Sequence, residues 1–138
     1  MKKIEVVCAV LHDQSGRVLI AQRRLVTADG VWEFPGGKVE ADESKEAACI
    51  REIKEELDVD IVVDEFLCEF DDVAFDPIVH VSAFRSHIVE GSVCFHAHHQ
   101  GKWVTIQELD AYHFQAADEP LLTLLRYQDD KKTFHNQC

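Results

Sequence analysis

A mixed α+β domain, a sheet with helices packed on it, is the fold class this sequence predicts. Three observations carry it. Residues 3–11 are apolar at alternate positions on both faces. Ser44 opens a segment with helical spacing that runs to about Leu57. Strand-like runs then resume, before a last apolar helix near the C-terminus.

In order along the chain, Ile4, Val6, Cys8 and Val10 alternate with Val7, Ala9 and Leu11, which suits a strand buried on both sides. His12-Asp13-Gln14-Ser15-Gly16 reads as a turn, and Arg17–Gln22 returns as a second strand. A loop holding Asp29-Gly30 leads to Val31-Trp32-Glu33-Phe34 and then to Pro35-Gly36-Gly37. Ser44 is a good N-cap for the helix that follows. Residues 60–71 and 77–89 read as two longer strands about a turn at Phe75-Asp76-Pro77. Lys102-Trp103-Val104 is a short strand, and Thr105-Ile106-Gln107-Glu108 has the capping-box pattern of a short helix. Asp118-Glu119-Pro120 opens a final helix carrying Leu121, Leu122, Leu124 and Leu125, with a polar tail after about Gln128.

The 138 residues suit one domain spanning 1–138, with no internal repeat or linker. A formal net charge of −12 argues against a nucleic-acid partner, because phosphate contacts need a basic face. A phosphorylated small molecule is compatible if a cation mediates the contact. No apolar run approaches the roughly 18 residues that span a bilayer, and the first ten residues read as a strand rather than a leader. Membrane association is therefore not expected. Five cysteines (Cys8, Cys49, Cys68, Cys94, Cys138) without a CxxC pair suit free thiols in a reducing, cytoplasmic setting.

On the central helix, Ala47, Ile50, Ile53 and Leu57 are predicted to share the buried face. Glu52, Glu55 and Glu56 fall within about 100° of one another on the other side. Each uncompensated like-charged pair costs roughly 0.2–0.5 kcal/mol. The last turns of a helix also disfavour negative charge. A hard divalent cation would reverse the sign of that interaction. The other reading is a solvated acidic face, with Arg51 pairing Glu55 at i,i+4 and Lys45 and Lys54 nearby.

The wider pattern goes further than the helix. From Gly37, five residues lead to Glu43 and seven more to Arg51, followed by Glu52-Ile53-Lys54-Glu55-Glu56-Leu57-Asp58-Val59. This resembles the Nudix box, GX5EX7REUXEEXGU, here spanning 37–59. Chance agreement at the charged, glycine and aliphatic positions is on the order of 10⁻⁸ per start position, too small for coincidence. One position departs: the box's second glycine is Asp58, a residue that tolerates the left-handed backbone such a helix exit needs. The chain is similar to MutT-type nucleoside triphosphate pyrophosphohydrolases, including the branch acting on cytidine nucleotides.

That resemblance implies the Nudix fold, a mixed β-sheet flanked by helices in an α/β/α sandwich. It implies Mg²⁺ (or Mn²⁺) on a substrate diphosphate, attack by water, and release of nucleoside monophosphate and pyrophosphate. The expected substrates are oxidised or modified (d)NTPs such as 8-oxo-dGTP or a modified dCTP or CTP, a role akin to DNA repair by pool cleaning. Another nucleoside-diphosphate-linked substrate (a nucleotide sugar or dinucleotide) and a non-catalytic nucleotide-binding module are the alternatives, and the chain would act as a monomer or homodimer. By resemblance Glu52, Glu55 and Glu56, with the Gly36 carbonyl, would be metal ligands, and Glu52 or Glu56 would orient the attacking water. Glu43 and Arg51 would brace the helix against its entry loop, beside Gly37. Arg23 and Lys38 match phosphate-contacting positions, and Arg24 is either a further positive group or a surface charge. Many members add a carboxylate before the last strand; here His98 holds that approximate place, either as metal ligand or proton acceptor or as an idle histidine. Phe34 and Phe75, with Trp32 as a third candidate, would wall a base. Asp118 stands where a base edge is read, or else caps the last helix.

Overall fold

The computed structural model describes residues 3–23 and 30–136. Arg24 and Cys138 lie outside the described residues, and the Asp29-Gly30 loop is described from Gly30 onward. Seven strands and two α-helices follow in chain order. They are β1 (Ile4–Leu11), β2 (Val18–Gln22), β3 (Trp32–Glu33), β4 (Gly36–Lys38), α1 (Lys45–Leu57), β5 (Asp60–Asp72), β6 (Val79–Glu90), β7 (Gln100–Val104) and α2 (Glu119–Asn136).

The strands form two sheets rather than one. β4-β1-β6-β5 is a mixed sheet in which β1 runs parallel to β6 and antiparallel to β4. β3-β2-β7 is a smaller antiparallel sheet. The Asp13 turn carries the chain from one to the other: its Oδ1 accepts from the Ser15 and Arg17 amides, both at 2.9 Å, and Gly16 takes φ 84°. Such a side-chain turn leaves β2 free to leave the plane of β1.

The two-faced reading of β1 holds residue by residue. Val7, Ala9 and Leu11 pack with Ala48, Cys49, Ile53 and Leu57 of α1. Cys8 and Val10 face the opposite way, against Val18, Ile20, Phe34, Leu121 and Leu125. Alternation along one strand thus builds both layers of the core. α1 covers one and α2 the other.

Several details differ from expectation. Ala47 is exposed and Ile50 is 40% exposed, while Ala48 and Cys49 are fully buried beside Ile53 and Leu57. The sheet meets the i, i+4 row 49-53-57, so the helix is rotated toward small residues that allow close approach to β1. Gly36–Lys38, read as loop, is a strand. The capping-box hydrogen bonds expected over residues 105–108 are present between Thr105 and Glu108, but the element there (Gln107–Ala111) is a 3-10 helix. The polar stretch after about Gln128 continues α2 to Asn136. Among the described residues no helix is long and apolar enough to cross a membrane, and Cys8, Cys49, Cys68 and Cys94 are free thiols.

Candidate active site

Both ends of α1 are locally determined. Ser44 Oγ accepts the Ala47 amide at 3.1 Å, and Asp58 closes the helix at φ 61°, its N–H donating to the Lys54 carbonyl at 3.0 Å. The departure at Asp58 is therefore accommodated in the left-handed region. Of the two glycines before the helix, Gly36 is required by backbone contact, and Gly37 leaves space that a side chain occupies. A Cβ on Gly36 would fall 1.9 Å from the Val7 carbonyl oxygen, and one on Gly37 would fall 2.1 Å from Glu52 Oε2. Gly36 lets β4 lie against β1, and Gly37 makes room for the Glu52 carboxylate.

Arg51 ties the helix to this loop. Its Nε and Nη2 fork onto Glu43 at 2.8 and 2.9 Å, and Nη2 also reaches the Lys38 carbonyl at 2.9 Å. Its Nη1 contacts Glu52 at 2.8 Å and, more distantly, Glu55 at 3.3 Å. The Arg51 hydrogen bonds, helped by the Glu40 amide, hold Glu43 down to about 2. Much of the repulsion expected among the glutamates is thus answered inside the protein. Among the described residues no group of three or more His, Cys, Asp and Glu side chains is gathered to hold a metal ion. Arg51 draws Glu52 and Glu55 aside, and Glu55 is exposed.

Glu56 is different. Burial raises its carboxyl to about 7; His98 opposes the rise, while Glu52 and Glu33 add to it and a hydrogen bond from the Gly36 amide lowers it. Its Oε2 is buried without a hydrogen-bond partner. An orphaned carboxylate oxygen beside further carboxylates fits a hard, oxygen-seeking cation. That observation fits Glu56 with Glu52 beside it to such a cation, while Glu55 is exposed and paired with Arg51.

The segment after β6 closes the site. Gly91 (φ 98°) turns the chain over the end of α1, where the Cys94 and His96 amides donate to the Leu57 and Glu56 carbonyls at 2.8 and 3.1 Å. The His99 amide donates to the Gln22 carbonyl at 2.9 Å. His98 is thereby held with its side chain 4% exposed, its Nε2 2.8 Å from Glu33 Oε2. Its Nδ1 is buried and unpartnered. Glu33 also binds Arg23 Nε at 2.5 Å. Burial pushes the Glu33 carboxyl up, but the bonds from His98 and Arg23 outweigh it and leave it below its ordinary value. His98 is therefore a buried partner of Glu33, not a surface histidine.

A cavity of about 220 Å³ opens beside the glycines. Arg23, Phe34, Gly36, Gly37, Phe75 and Asp118 all line it, joined by Cys8, Glu33, Phe70, Asp72 and Gln115. Burial raises Asp118 to about 6, with Glu33 and Asp72 adding to the rise and Arg23 opposing it. Trp32 is elsewhere, 7% exposed and edge-on to Tyr112 at 5.0 Å, part of the α2-side core. Lys38 is exposed and does not line the cavity, because β4 pairing and the Arg51 bond fix its backbone at the entry to α1. Sequence reasoning did not single out Glu33, Asp72, Gln115 or Cys8. Glu33 lies directly before Phe34, so its place three residues before Gly36 was the one available signal.

Comparisons with known proteins bear on the family and the fold. The NUDIX domain model matches residues 2–134. The CTP pyrophosphohydrolase of Escherichia coli K12 is 37% identical over 123 residues, covering 88% of this chain and 90% of that protein. The 8-oxo-dGTP diphosphatase of Haemophilus influenzae is 30% identical over 126 residues, covering 88% and 90%. The solution structure of the E. coli ORF135 protein superposes with a TM-score of 0.80 at 36% identity, covering 92% of this chain and 91% of that one. The chain belongs to the Nudix family and is a Nudix hydrolase of MutT type.

Proposed function

We propose that the protein is a metal-dependent pyrophosphohydrolase of nucleoside triphosphates, with oxidised guanine or a modified cytosine as the base. The observation that carries this reading is the cavity itself. Its lining combines the Gly36-Gly37 backbone, where Gly37 abuts Glu52, with aromatic and aliphatic side chains and Asp118. A polyphosphate suits the glycine backbone and a flat base the apolar side chains.

Glu52, Glu55 and Glu56, with the Gly36 carbonyl, would hold Mg²⁺ or Mn²⁺, which neutralises diphosphate charge and lowers the cost of attack when bound. Arg23 lines the cavity with its guanidinium held by Glu33, so a phosphate meets a charge already positioned. His98 acts through Glu33 as a positioning residue and not as a direct contact. Water would attack a phosphorus of the α–β anhydride, the bond from that phosphorus to the anhydride oxygen would break, and Glu52 or Glu56 would receive the water's proton. Pyrophosphate and nucleoside monophosphate leave. Phe34 and Phe75 would flank the base, and Asp118 would read its edge.

Incubation with Mg²⁺ and a panel including 8-oxo-dGTP, CTP and 5-methyl-dCTP should release pyrophosphate, and chelation with EDTA should stop it. No release across the panel overturns the reading. Sugar phosphate plus monophosphate from a nucleotide sugar would instead point to the alternative substrate class.

A further inference from the structure

Asp72 ends β5, and its neighbour Asp71 faces outward, bonded to Lys3 and His80. Strand alternation turns Asp72 the other way. It is 7% exposed, and it forms part of the cavity wall with Phe70, Val79 and Val81. Its Oδ1 accepts the Ala74 amide at 3.1 Å, which sets the turn after the strand. The carboxylate thus lies on the cavity wall rather than in open solvent. An Asx turn needs one oxygen and works equally well in water, so turn formation does not account for placing a carboxylate in the cavity wall.

Asp118 reaches the same cavity from a segment 46 residues later, and the two carboxyls feel each other, since Asp72 contributes to the rise at Asp118. Arg23 in the same wall gives its Nε–H to Glu33. Asp72 and Asp118 bring two carboxylates to this cavity, one oxygen of which takes the Ala74 amide.

We infer that Asp72 is a second acidic reader of the nucleobase, and that with Asp118 it selects bases presenting amino and ring N–H donors over bases presenting mainly carbonyls. This rests on the reading of the cavity as a nucleotide site. Cytosine offers an exocyclic amine, and guanine-type bases offer an amine beside a ring N–H. Uracil and thymine set two carbonyls around a single N–H, so a carbonyl oxygen meets a carboxylate. The sequence did not mark Asp72 because it reads as one of two adjacent acids at the end of a strand.

The test compares CTP with UTP as substrates of the Mg²⁺-loaded enzyme, and CMP with UMP as ligands in metal-free calorimetry. The unmodified protein should favour the cytosine partner by about tenfold or more in kcat/KM and in binding. Asp72→Asn keeps an oxygen for the Ala74 amide and replaces the other acceptor with a donor. It should shrink the preference by about tenfold, chiefly through KM, and strengthen UMP binding. Asp72→Ser, which removes the second acceptor without adding an amide donor, should lose the preference without gaining UMP, and it serves if the asparagine variant does not fold. Unchanged CTP-to-UTP and CMP-to-UMP ratios in a folded, active variant overturn the role of Asp72 alone. If the unmodified protein hydrolyses neither triphosphate yet still prefers CMP in an Asp72-dependent way, the pyrophosphohydrolase reading falls and the base-reading role stands. Absence of any binding to either monophosphate overturns the inference.

Discussion

Asp118 is an ionisable group placed where its charge is disfavoured, and stability should record that. Its carboxyl moves from 3.8 to about 6 through burial first, then through Glu33 and Asp72, with Arg23 pulling the other way. The folded state therefore holds this proton more tightly than the unfolded chain. Asp118 opposes folding increasingly as pH rises from about 4 to 6, and above that by about 2–3 kcal/mol. Asp118→Asn should raise the ligand-free Tm at pH 7.5 by roughly 10 °C, with the gain vanishing near pH 4. Thermal unfolding at the two pH values checks this, and substrate ranking should change in the same variant. Gly37 makes the opposite kind of prediction. Adding a methyl group there collides with the Glu52 carboxylate. Gly37→Ala should cut pyrophosphate release by about a hundredfold or more, the order seen when a catalytic group is misplaced. Circular dichroism should show the fold retained.

At the scale of elements, α1 is held by devices of separable strength. Ser44→Ala removes the bond to the Ala47 amide and should cost about 1 kcal/mol in denaturant unfolding, with turnover little changed. Asp58→Gly should stabilise by up to about 1 kcal/mol, because φ 61° carries a penalty for a residue with a Cβ. Arg51 belongs to a different class, since it joins Glu43, Glu52 and the Lys38 carbonyl through one planar fork. Lysine has the charge but not the fork, so Arg51→Lys should lower turnover at least tenfold and lower Tm as well. Steady-state kinetics alongside thermal melts separate these cases. A cation bound by the glutamates would compete with Arg51 for Glu52, which the helix pattern alone did not indicate.

For the molecule as a whole, the order of the strands and helices other than β4 was legible because alternation and capping are local. β1 announced its two buried faces, and Ser44 and Asp58 marked where α1 begins and ends. The box acids were legible because their spacing is a helical spacing. The rotation of α1 was not, since only the sheet beneath decides whether Ala48 and Cys49 or Ala47 and Ile50 go inward. The division into two sheets was equally invisible, because pairing of β1 with β6 joins residues more than seventy positions apart.

By itself the sequence determined the family pattern, the acid-bearing helix and its caps, all properties of neighbouring residues. Only the tertiary structure decided which acids share an environment. It buried Glu56, set His98 on Glu33 with Arg23, and turned Asp72 and Asp118 into one cavity. The physical reason is that burial and charge coupling depend on distance through space, which chain spacing does not encode once strands from distant segments meet.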